Sequence, residues 1–268
     1  MVCCRIGLPS LTWALDLHFG NILLQLPSTL DHLSDQQFYD RFRPPDHPET
    51  VARVDGKPLS PGVPLHVFQP VWMGGKSQDI ALSEARILLI DFGTMFSPAH
   101  ESRFSSCTPL PIRPPEAHLE QSKSLSFPSD IWSLGCAIWE ILGHRGFLDS
   151  WIWTEDEIIL DQVDALGPLP AEWWEKWEAR SEWFPGEWQP RDGRWTFDRR
   201  FEESIQWLRR ETGLETLSDE ERDALFEMVR WMLSFRPGER PSAKQVLETD
   251  WMRKWAIPEY EKTWSKDS

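Results

Sequence analysis

The 268-residue chain carries 28 Lys and Arg against 43 Asp and Glu, a net charge of −15. That sign argues against direct nucleic-acid binding and against attachment to an anionic membrane surface, both of which draw on excess positive charge. The apolar fraction of 40% is that of a globular protein with a sizeable core, and the chain has no run of about 18 apolar residues that could span a bilayer.

The chain opens on "MVCCRIGLPSLTWAL". This stretch has one basic residue, a Pro inside its apolar part and no small-residue cleavage site, so it does not read as a secretion signal. Next comes "WALDLHFGN", in which Asp16 is followed five positions later by Asn21. "ILLQL" (22–26) and "ILLI" (87–90) then predict two short buried strands. Residues 31–85 lie between them. They are rich in Pro, Gly, Asp and His and predict a long irregular insert. "DFG" (91–93) directly follows the second strand.

From 127 onward the signals are helical. "SDIWSLGCAIWEILG" (129–143) is apolar nearly all round, with Ser129 as a candidate N-cap, and predicts a central buried helix. "TEDEIILDQVDALG" (154–167) opens on a Thr154/Glu157 capping box. An amphipathic helix is predicted over 197–212. Two further capping boxes, Ser218/Glu221 and Ser242/Gln245, open helices over 218–235 and 242–252. The order predicts a mainly α (α+β) fold: a short β hairpin plus a helical bundle. The four Cys (3, 4, 107 and 136) lack metal-ligand and disulfide-framework spacing and predict free thiols in a reducing compartment. Tryptophan is abundant, 17 residues against 2 Tyr.

D-x-x-x-x-N, a strand, and then D-F-G are followed in order by "RPPE" (113–116), "SDIWSLG" (129–135) and "RPGERPSA" (236–243). Together these motifs resemble the C-terminal lobe of eukaryotic protein kinases. Arg113 before "PPE", and "LGPLP" after the 154–167 helix, are similar to the CMGC group. The long insert and the Trp-rich stretch look like fungal SR-protein kinases. The resemblance covers 14–255, with 1–13 as a non-matching segment, 31–85 as an insert and 256–268 as a tail.

The resemblance implies a serine/threonine kinase that uses ATP and Mg²⁺ on a protein substrate, possibly Arg/Ser-rich, in the cytoplasm or nucleus. By it, Asp16 is the catalytic base, and Asn21 and Asp91 hold the metal. Leu23 lies under the adenine, His18 stands near the γ-phosphate, and Phe92 and Gly93 complete D-F-G with Phe92 in an internal hydrophobic stack. Arg113, Glu116, Asp130 and Arg240 are structural: Glu116 pairs with Arg240, and Asp130 holds the catalytic-loop backbone. The acids Glu155, Asp156, Glu157 and Asp161 offer a surface for Arg-rich peptides. The sequence departs from the family pattern at Ala14 and Leu15, which stand in place of His and Arg, and at His18, which stands in place of a Lys. Fifteen residues precede Asp16, too few for the family's Gly-rich loop and strand Lys. The expectation is therefore a lobe that is weak or inactive as this chain, with a binding module lacking catalysis as the alternative.

Overall fold

The computed structural model describes residues 17–25, 28–42, 48–68, 80, 85–143, 145–148 and 154–262. It divides into two compact units, Met1–Leu23 with Leu89–Ser268, and Leu24–Leu88. The fold is mainly α with four short strands among the described residues: β1 (Ile22–Leu24), β2 (Glu49–Thr50), β3 (His66–Val67) and β4 (Ile87–Leu89). β1 pairs with β4, and β2 runs antiparallel to β3 with Glu49 opposite Val67. The expected burial of β1 and β4 does not hold. Leu23, Leu24, Ile87 and Leu88 are all exposed, because a two-stranded ribbon has no interior of its own.

The smaller unit is more ordered than its composition predicts. Ser28–His32 forms a 3-10 turn and Asp35–Phe42 forms α1. Ser34 and Gln37 cap α1 reciprocally: Gln37 N–H donates to Ser34 Oγ at 3.3 Å, and Ser34 N–H to Gln37 Oε1 at 2.9 Å. The turns of "VDGK" and "SPGV" place Gly56 and Gly62 at positive φ (71° and 88°), where a side chain would be strained.

The larger unit is built around one helix. After α2 (Glu116–Leu119), α3 runs from Phe127 to Gly143 and buries Trp132, Cys136 and Trp139 completely. It starts two residues before the predicted N-cap. Pro128 fits the first turn, where a missing N–H costs nothing, and Ser129 gives its hydroxyl to Glu116 Oε1 instead, at 2.9 Å. Next come α4 (Glu155–Leu166), α5 (Ala171–Lys176) and α6 (Arg180–Trp183). Both halves of the Thr154/Glu157 capping box form. Trp173, Trp177 and Phe184 pack with Ile159 and Val163 of α4 in a satellite core, which accounts for part of the tryptophan excess.

The helix predicted over 197–212 is a run of three pieces: α7 (Phe197–Phe201), a π turn over Glu202–Gln206, and α8 (Trp207–Glu211). Trp139 meets Phe147 and Phe197 edge-on, with centroids 5.2 and 5.1 Å apart. α9 (Asp219–Met232) seals the main core with Leu225, Met228 and Val229. The last predicted helix is interrupted. α10 (Ala243–Leu247), with its Ser242/Gln245 box formed, is followed by a π turn over Met252–Ala256 and by α11 (Ile257–Lys262).

Candidate functional site

The 3-10 turn Phe19–Asn21 closes with Asn21 N–H donating to His18 O at 2.9 Å. It delivers Asn21 into the start of β1, where the residue is buried. Ile90 N–H then donates to Asn21 O at 3.0 Å. That bond fixes Asn21 beside the residue that precedes Asp91.

Asp91 is the one non-glycine residue at positive φ among the described residues, at φ 58° and ψ 63°. Asp tolerates this left-handed conformation better than most side chains. The turn leads straight into the 3-10 helix Phe92–Thr94, and a Cβ placed on Gly93 would lie 3.4 Å from Asp91 Oδ1. Local strain of this kind is found at sites where a side chain must be aimed. Asn21 and Asp91 line one small cleft with Leu17, Ile90, Phe92 and Met95. About 10 Å³ of it is open to water-sized species, space for one water or ion rather than a nucleotide.

The donors fit a hard cation: one carboxylate and one amide oxygen. Among the described residues no group of three or more His, Cys, Asp or Glu could hold a metal ion. A Mg²⁺ here would take its remaining ligands from water and from phosphate oxygens, as Mg²⁺ does where one or two protein groups hold it.

Asp16 lies outside the described residues. So do Ala14 and Leu15. His18 does not line the cleft; a Cβ on Gly20 would meet its ring at 3.0 Å, so the ring lies back over Gly20. Phe92 departs from the expected internal stack. It is 40% exposed at the rim of the cleft, and Leu23 is 42% exposed. Nothing in the sequence marks Leu17 and Met95, because an apolar residue beside a polar motif carries no signal of its own.

Beyond Asp91 the chain is pinned at intervals. Arg103 Nη1 donates to Thr94 O at 2.5 Å, and Arg113 Nε to Thr108 O at 2.9 Å. The segment ends in α2, where Glu116 receives both Nη atoms of Arg240, at 2.8 and 2.6 Å. Asp130 sits on α3 at a pocket shared with Thr94, Phe96 and Ser106. The backbone it was expected to hold, around Asp16, lies outside the described residues.

The expected acidic surface on α4 is only partly open: Glu155 is exposed, while Asp156, Glu157 and Asp161 are half-buried. Glu155 Oε1 lies 3.2 Å from His118 Nδ1. Asp156 accepts from Trp177 Nε1 at 2.9 Å, Glu157 completes the cap, and Asp161 is held by the buried Arg200 at 2.5 Å. Each of the four has a contact within its unit, to α2, to Trp177, to the α4 cap and to Arg200 of α7.

A family model described as "Protein kinase domain" matches residues 65–252. That span holds Asp91, Phe92, Gly93, Arg113, Glu116, Asp130 and Arg240; Asp16, His18, Asn21 and Leu23 precede it. Dual specificity protein kinase CLK2 of Homo sapiens is 27% identical over 176 residues, 65% of this chain and 33% of that protein. Serine/threonine-protein kinase AFC2 of Arabidopsis thaliana is 28% identical over 167 residues, 60% of this chain and 37% of that protein. The chain thus spans about a third of the length of these relatives. A crystallised kinase domain aligns at 17% identity with a TM-score of 0.47, covering 90% of this chain and 60% of that one.

Proposed function

The chain belongs to the protein kinase domain family, and from that membership we propose that its site serves ATP-dependent phosphoryl transfer to a protein hydroxyl of the serine/threonine type. The observation that carries the reading is the shared cleft of Asn21 and Asp91. Phosphoryl transfer asks a protein for positioning and charge stabilisation more than for covalent chemistry. When bound, Mg²⁺·ATP would supply the transferable phosphoryl group and a cation to offset its charge. Asn21 and Asp91 offer the metal two oxygen ligands, Leu23 an apolar surface for the base, and Asp16 an acceptor for the proton of the attacking hydroxyl. Arg113, Glu116 and Arg240 hold the segment between Asp91 and α3.

Two finer points rest on resemblance. Similarity to SR-protein kinases and the net charge of −15 favour an Arg/Ser-rich substrate met in the cytoplasm or nucleus. Asp156, Glu157 and Asp161 are half-buried with internal partners, which leaves Glu155 as the exposed acid of the four. The second reading is a binding module without catalysis. Leu15 and His18, in place of the family's Arg and Lys, favour it, as do the exposed Ile90 and Phe92 of the cleft, apolar surface of the kind that takes a partner.

Labelled ATP and a panel of Ser/Thr peptides, with and without Arg, test the reading. Transfer that needs Mg²⁺ and is lost in Asp16→Ala and Asp91→Ala supports it. Nucleotide binding without transfer selects the binding module. Transfer undiminished in both variants would overturn the assignment of the site.

A further inference from the structure

α2 is four residues long, too short to hold its shape alone in water. Its place is set by what grips it. Glu116 is gripped by Arg240. The second grip is His118, whose side chain is 3% exposed and whose Nδ1 lies 3.2 Å from Oε1 of Glu155, in the first turn of α4. His118 Nε2 is buried and has no hydrogen-bond partner among the described residues. The same junction is closed by Lys176 Nζ donating to Leu119 O at 3.3 Å, and by Trp177 Nε1 donating to Asp156 Oδ1 at 2.9 Å.

The geometry suits a neutral imidazole. Nδ1–H donates to the Glu155 carboxylate, and this contact assigns the tautomer. Nε2 is then a bare lone pair, which costs less to bury than a charged donor would. A proton on Nε2 would be a charged donor, buried with no acceptor among the described residues. The charged groups that face the ring are Glu155 on α4, Glu116 on α2, and Arg113. Glu155 and Glu116 favour the imidazolium, and Arg113 opposes it. Burial is the largest influence, ahead of Glu155, and holds the ring's pKa below its ordinary 6.5.

We propose that His118 is a positioning residue and a proton-sensitive latch: neutral, it seats α2 on α4 through Glu155; protonated, it releases α2 and the end of the segment that runs back to Asp91. The inference goes beyond the phosphoryl-transfer reading and does not depend on it. Its sign follows from linkage. The released ring binds its proton at the ordinary pKa and the seated ring at a lower one. The seat is therefore fully held above about pH 6.5 and is lost as pH falls from there through the seated value.

Amide hydrogen exchange of the full chain at about pH 7.5 and about pH 5.5, corrected for intrinsic rates, reads the latch on the far side of the ordinary histidine range. The amides to follow are Leu119 and Glu120, which donate to Pro115 O and Glu116 O at 2.9 Å, with the amides of α9 as the internal reference. Protection at 119 and 120 should fall several-fold at the lower pH while α9 is unchanged. His118→Leu, which suits the burial, should abolish that response. Glu155→Gln keeps an acceptor for Nδ1–H and removes the charge that favours protonation, so it should move the loss to lower pH; being at the surface, it also serves if His118→Leu does not fold. Equal protection of the native chain at both pH values would overturn the proposal. So would a native response that neither folded variant alters.

Discussion

The guanidinium of Arg240 grips the carboxylate of Glu116 across 124 positions of sequence, through two bonds of 2.8 and 2.6 Å. The Arg240 side chain is fully buried and that of Glu116 is 7% exposed. Its other contacts are the carbonyls of Ser234, Pro128 and Phe235, at 2.8 to 2.9 Å, and the ring of Trp132, 5.1 Å away. Removing one partner of such a pair strands a charge in the interior, at a cost of about 3–5 kcal/mol. Arg240→Ala should therefore unfold at markedly lower urea. Arg240→Lys should recover little, since an ammonium cannot reproduce the two-pronged contact. An unchanged midpoint in Arg240→Ala would contradict this.

Gln162 of α4 is fully buried, and neither its Oε1 nor its Nε2 has a hydrogen-bond partner among the described residues. Each unpaired polar group left in an interior costs about 1–3 kcal/mol. Gln162→Met keeps the length of the side chain and the helix propensity while removing both groups. It should raise the thermal midpoint; a lower midpoint would show that the amide is satisfied in solution.

Gly143, the last residue of α3, faces the π turn of 202–206. A Cβ there would stand 2.9 Å from Ile205 Cγ1 and 3.0 Å from the carbonyl oxygen of Ser204. Gly→Ala within a helix ordinarily gains up to about 1 kcal/mol, whereas overpacking costs about 1–3 kcal/mol. Because one of the close atoms belongs to the backbone, which yields little, the second effect should win. Chemical denaturation of Gly143→Ala should show a net loss of stability.

Cys136 lies wholly inside α3, where burial pushes its thiol up to about 12. Cys107 is exposed. The thiolate is the reactive form, so a brief alkylation of the native chain at pH 8, followed by peptide mapping, should label Cys107 and spare Cys136 until urea is added. Early labelling at 136 would mean that α3 opens locally.

Much of the helical unit was legible in the sequence. Capping boxes are local chemistry, and those at Thr154/Glu157 and Ser242/Gln245 form as read. The box at Ser34/Gln37 carried the same signal within a stretch whose Pro and Gly content pointed to loop. The π turns at 202–206 and 252–256 left no trace in periodicity; the first of them packs against Gly143, a tertiary neighbour. At the site, D-x-x-x-x-N and D-F-G marked Asn21 and Asp91, and those two residues share a cleft. The left-handed backbone of Asp91, the exposure of Phe92 and the burial of His118 are tertiary outcomes that no local pattern encodes.

Calorimetric titration of ATP into the full chain, with and without Mg²⁺, tests most directly whether the cleft of Asn21 and Asp91 is a metal–nucleotide site. The chain should bind ATP only with Mg²⁺, and both Asp91→Ala and Asn21→Ala should weaken that binding, Asp91→Ala the more because it removes a charged ligand. Binding that persists undiminished in both variants, or no binding by the native chain at millimolar nucleotide, would contradict the account.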